Sequence, residues 1–141
     1  MSELRRALET DTGEIQFHYQ PKVDLIQGRI THVEALIRWI HPEKGFIAPD
    51  DFIPLAESTG HIHYITLWAL EQGIRQASLW QAAGQDIKLA INLSARDLTN
   101  RDLPKIIAAT IEKHDAHVDW LVLEVTESAV MEDPELALGV L

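Results

Sequence analysis

Residues 29–39, RITHVEALIRW, change chemical character with a period of two. In an extended strand, side chains two apart share a face. Val33, Ala35, Ile37 and Trp39 therefore lie on one side and His32, Glu34, Leu36 and Arg38 on the other. Such a strand can bury its apolar side against helices and keep both charged residues on the opposite side. Residues 15–24, IQFHYQPKVD, alternate in the same way, with Ile15, Phe17 and Tyr19 set against Gln16, His18 and Gln20. Pro21 has no N–H for a ladder, which places this strand at a sheet edge or at a bulge. A turn at Gly28 joins the two strands as an antiparallel hairpin.

The rest of the chain switches between this period and the helical one. After a loop carrying Pro42, Gly45, Pro49 and Pro54, a short helix is expected across DDFIPLAES, then a long one over 62–83. Leu67, Leu70, Ile74, Ala77 and Trp80 recur at spacings of three and four and define its buried stripe, and Gly84 ends it. Trp68 and Trp80 read as packing residues, not as a stacking platform. A strand over 87–93, a helix over 102–113 with Leu103, Ile107 and Ile111 in register, and a strand at WLVLEVT follow. Asp133 and Pro134 have the N-cap and first-turn chemistry of a further helix. Strands separated by helices imply an α/β fold with a mostly parallel sheet and a site at the strands' C-terminal ends.

Parity also selects candidate ligands. On the face opposite Leu89, Ile91 and Leu93 lies Asn92, and on the face opposite Leu121, Leu123 and Val125 lies Glu124. Together with Glu34, each of three strands offers one oxygen-bearing side chain, a donor set suited to Mg²⁺, Mn²⁺ or Ca²⁺. The same pattern also fits Glu34 paired with Arg38, a hydrogen-bonded Glu124 and a strand-ending Asn92. The histidine pairs His61/His63 and His114/His117 have no second convergent pair and read as surface residues. With no cysteine, a disulfide framework and a thiolate zinc site are excluded. Twelve Lys and Arg against 22 Asp and Glu give a net charge of −10, which argues against DNA or RNA as a partner. No stretch approaches the roughly 20 apolar residues of a membrane span, and no membrane contact is expected of this segment.

Four segments, YQPKVDL, VEALIRWIHPEKGFIAPDDFIPLAESTG, INLSARDL and LEVTESAVMED, resemble in order and spacing the EAL-domain cyclic di-GMP phosphodiesterases of bacteria. Glu34-Ala35-Leu36 stands where that family has its naming tripeptide. The resemblance implies a TIM-like (β/α)₈ barrel with an antiparallel first strand, and metal-dependent hydrolysis of cyclic di-GMP to linear pGpG at a two-metal Mg²⁺ or Mn²⁺ site. It implies Glu34, Asn92 and Glu124 as metal ligands, with Glu34, Glu124 and Glu127 as catalytic residues, Glu127 steadying a mobile loop. Arg38 is implied as the phosphate contact, Gln20 as a polar contact in the substrate groove, and Leu36 as part of the nucleotide pocket. The work of such a domain is cytoplasmic, although a longer parent could be membrane-anchored.

The four strands fall short of the roughly 200 residues of a full barrel. The family's DDFGTG segment, its lysine and its later glutamate ligand have no counterpart in the sequence. Residues 1–141 are thus expected to be the N-terminal portion of one EAL domain: a partial barrel, inactive or very weak alone, whose exposed edges favour homo-oligomers. A non-catalytic cyclic di-GMP receptor or protein-interaction module on a degenerate EAL fold is the competing expectation.

Overall fold

The structure, a computed structural model, describes residues 2–10 and 12–125. Glu127 and the helix expected from Asp133 lie outside the described residues. Helix α1 (Ser2–Glu9) precedes strands β1 (Ile15–Asp24), β2 (Arg29–His41) and β3 (Gly45–Ile47). Helices α2 (Pro49–Thr59) and α3 (Ile62–Ala82), strand β4 (Lys88–Asn92), helix α4 (Leu103–Lys113) and strand β5 (Leu121–Glu124) follow.

The sheet order is β1-β2-β4-β5, with β3 added to β2. β1 runs antiparallel to β2, whereas β4 and β5 run parallel to it. Among the described residues the sheet is open: an antiparallel hairpin leads into parallel strands separated by helices, the arrangement expected from the resemblance for part of a TIM-like barrel. Pro21 pairs across to Val33 near the end of β1, and the register shifts just beyond it, between Lys22 and Val23. Among the described strands β1 has β2 as its only neighbour, so Pro21 sits at a sheet edge, where a residue without an N–H is tolerated.

Two apolar clusters fill the space between the sheet and the helices. Val33, Ala35, Leu89, Ile91 and Leu93 meet Leu70, Ile74 and Ala77 of α3 in one. In the other, Leu4 and Ala7 of α1 join Ile15, Trp39 and Phe52. The two tryptophans pack as expected: Trp68 lies 4.8 Å from Phe17 and Trp80 5.1 Å from Tyr19, ring centre to ring centre. These contacts fasten the edge strand β1 to α3.

The stripe on α3 differs from the expected one. Leu67 is only half-buried, while Ile65, Thr66, Ala69 and Gly73 are buried beside Leu70, Ile74 and Ala77. A helix covered by a sheet on one side and by other helices on its flanks buries a broader face than a single leucine row. α1 and β3 were not anticipated, since eight and three residues carry too little periodicity to register.

Gly73 sets the distance between α3 and β4. A Cβ built there would stand 2.6 Å from Cδ1 and 3.2 Å from Cγ1 of Ile91, which is itself fully packed. Gly73→Val is expected to cost about 1–3 kcal/mol through overpacking, read as a lower midpoint in urea denaturation. The α3–α4 contact has an electrostatic clamp: Glu71 Oε1 accepts from Lys113 Nζ and His114 Nε2, each at 2.8 Å. The bond from Lys113, opposed by partial burial and reinforced by His114, holds the Glu71 carboxyl below its usual range. A carboxyl with a depressed folded pKa adds stability above its unfolded pKa and loses it as pH falls through the folded value. Thermal melts are therefore expected to show a smaller loss on acidification for Glu71→Gln than for the unaltered chain.

Candidate functional site at the strand ends

The face turned away from the helices is ruled by the register. Gln20 of β1 stands opposite Glu34 of β2, Glu34 opposite Ala90 of β4, and Ala90 opposite Val122 of β5. One step further toward the strand ends, Asn92 stands opposite Glu124. The small side chain at Ala90 leaves room for Asn92 to reach back, and its Nδ2 donates to Glu34 Oε2 at 3.1 Å. The other carboxylate oxygen of Glu34 lies 3.3 Å from Lys22 Nζ. Glu34 is thus held from two sides, with a side-chain exposure of 19% against 53% for Lys22.

Of the arrangements the sequence left open, the ion pair between Glu34 and Arg38 is not the one formed. Arg38 instead extends over the ring of Phe46 in β3, its guanidinium carbon 5.6 Å from the ring centre. Leu36, Arg38 and Asn92 all line a cleft of about 720 Å³, and Asn92 and Glu124 share a smaller one beside it. Gln20 is exposed on the same face as Glu34. The structure therefore brings Glu34, Asn92 and Glu124 to adjacent positions and sets Leu36 and Arg38 along the same strand. His61 bonds Thr59 and His117 lies by Asp119 at the surface, whereas His114, expected at the surface, is largely buried and joins α4 to Glu71 of α3.

Among the described residues no three His, Cys, Asp or Glu side chains converge on one point. The set at these neighbouring strand positions is two carboxylates and an amide, all able to offer oxygen donors, and its chemistry fits a hard divalent cation. Lys22 now pairs with Glu34 at 3.3 Å, a contact that a divalent ion at this carboxylate would have to displace or share.

Sequence reasoning missed the group that carries Asn92's turn. Ser94 Oγ donates to Glu57 Oε2 at 2.7 Å, and Asp97 Oδ2 accepts from the Ser94 N–H at 2.8 Å. Thr66 Oγ1, on α3, donates to Asp97 Oδ1 at 2.7 Å. Ser94 and Asp97 form a capping box on the short 3-10 helix Ala95–Thr99, and the spacing S-x-x-D was the available signal. Burial, opposed by the bonds from Thr66 and Ser94, raises the Asp97 carboxyl above its usual value. Glu57 lines both clefts, so this network ties α2 and α3 to the segment that presents Asn92.

An open parallel sheet led by one antiparallel strand, with oxygen donors at the strand ends, defines the mouth of a TIM-like barrel as the candidate site. The chain belongs to the EAL-domain family, whose model matches residues 1–140. It is 41% identical to the bifunctional diguanylate cyclase/cyclic di-GMP phosphodiesterase MucR of Pseudomonas aeruginosa, over 100% of this chain and 20% of that protein. It is 36% identical to the cyclic di-GMP phosphodiesterase PdeR of Escherichia coli, over 98% of this chain and 20% of the relative. The chain thus spans about a fifth of the length of these two curated relatives. The solved PaMucR phosphodiesterase in complex with c-di-GMP superposes with a TM-score of 0.92 at 40% identity, over 99% of this chain and 56% of that one. The Xanthomonas citri FimX EAL domain in complex with c-diGMP shares the fold, with a TM-score of 0.85 at 23% identity over 99% of this chain and 53% of that one.

Asp97→Ala strips acceptors from the Thr66 hydroxyl and the Ser94 N–H. It is expected to destabilise the chain by about 1–3 kcal/mol in chemical denaturation.

Proposed function

We propose that residues 1–141 are the N-terminal portion of one EAL domain and supply one wall of a cyclic di-GMP phosphodiesterase site. The observation that carries this reading is the placing of Glu34, Asn92 and Glu124 at adjacent strand positions, with Arg38 along the same face. Glu34, Asn92 and Glu124 would hold Mg²⁺ or Mn²⁺. A pair of such ions supplies phosphate neutralisation and an activated water for in-line cleavage to pGpG. Arg38 presents a planar fork of donors to a non-bridging phosphate oxygen, a geometry lysine does not offer. Gln20 and Leu36 flank Glu34 and Arg38 as polar and apolar contacts, and Glu127 follows β5 as a loop-steadying residue. The bacterial cytoplasm is the compartment this reading requires. No described helix is long and apolar enough to cross a membrane.

Three ligands are too few to hold two divalent ions, so these 141 residues bind without appreciable turnover. Calorimetry is expected to show Mn²⁺ binding that weakens at least tenfold in Glu34→Gln, and Mn²⁺-supported cyclic di-GMP binding that weakens at least tenfold in Arg38→Ala. A folded chain that binds neither would sink the reading. Turnover by a pure, sequence-verified chain would overturn the proposed inactivity and leave the site assignment standing.

A further inference from the structure

Phe46 belongs to neither large core cluster and is 57% exposed, an unusual position for a phenylalanine held so firmly in place. Its backbone pairs with Ile40, so in the antiparallel β2–β3 ladder it lies diagonal to Arg38 on the face that carries Glu34. The hairpin that presents it is tightly built. His41 is buried, and its Nδ1 accepts from the backbone N–H groups of Glu43 and Lys44 at 3.1 and 3.2 Å. Its Nε2 meets Glu3 Oε2 of α1 at 3.2 Å. Gly45, at φ 72, takes the left-handed conformation that closes the turn. The ring therefore has a fixed platform beneath it, and Arg38 lies over it at cation–π distance.

An exposed aromatic face beside a guanidinium is a surface matched to a nucleotide: the cation takes the phosphate and the ring takes the base by stacking. We propose that Phe46 is a base-stacking residue for a purine of the cyclic dinucleotide, and that it also positions Arg38 for the phosphate next to that base. The proposal rests on the reading of the site given above and adds the specificity element that reading lacks. Stacking accounts for the exposure of the ring, since covering its exposed surface removes apolar area from water that the free chain leaves wet.

The test is the affinity of the full chain for cyclic di-GMP in the presence of Mn²⁺. Phe46→Leu keeps the apolar bulk and loses the π face, and is expected to weaken binding by about five- to a hundredfold. Phe46→Trp is expected to retain binding within about twofold. A double-mutant cycle with Arg38→Gln is expected to be non-additive, the pair losing less than the product of the two single losses. Because the ring is outside the core, the melting temperature of Phe46→Leu is expected to match that of the unaltered chain. If the unaltered chain binds and Phe46→Leu binds equally well, or Phe46→Trp fails as Phe46→Leu does, this proposal alone is overturned. So it is by an additive cycle or a clear drop in the melting temperature of Phe46→Leu. If the unaltered chain does not bind cyclic di-GMP at all, the reading of the site falls and this proposal with it.

Discussion

The register of β2 is the constraint on which the rest of the structure depends. This strand pairs with three others, antiparallel to β1 and β3 and parallel to β4. A slip of one residue would turn Val33, Ala35 and Trp39 out of the core and Glu34 and Arg38 into it. Burying those charges without partners costs far more than a single hydrogen bond returns. The apolar half of the strand thus fixes the polar half, and packing against α3 secures a site on the opposite face.

The two sides of the sheet differ in how they are stabilised. Toward the helices, close packing of large aliphatic and aromatic groups leaves little freedom, as the approach of Gly73 to Ile91 shows. Toward the site, position is held by directed contacts: Lys22 and Asn92 on Glu34, Phe46 under Arg38, and the Ser94–Asp97–Thr66 network behind Asn92. Directed contacts of this kind can be exchanged for a ligand's groups without disturbing the core. This division suits a fold in which strand ends carry chemistry and strand middles carry stability.

The α/β class, the hairpin, the facing of the four expected strands and the shared face of Glu34, Asn92 and Glu124 were legible in the sequence, because a period of two leaves a direct trace in residue type. What escaped was of two kinds. β3 and α1 are too short for a period to show, although β3 carries Phe46 and α1 carries Leu4 and Ala7 into the core. The partners of Glu34 and Asp97 also escaped, since Lys22 and Thr66 reach them only once register and helix placement are known. The Glu34–Arg38 pair looked plausible along the strand. It failed because neighbouring strands put Lys22 and Asn92 nearer to the carboxylate than Arg38 is drawn by it.

The contacts of Glu34 also have unequal histories in the folding chain. Lys22 comes to it across a single hairpin, in which Gln20 stands opposite Glu34 in register, so that meeting costs little chain entropy. Asn92 lies 58 residues away and reaches Glu34 only after α2, α3 and the intervening loops are placed. Half of the site is therefore a local product of one turn and half a product of the whole topology. Damage to the β4 side can remove the Asn92 amide while the hairpin keeps its glutamate, glutamine and lysine in register.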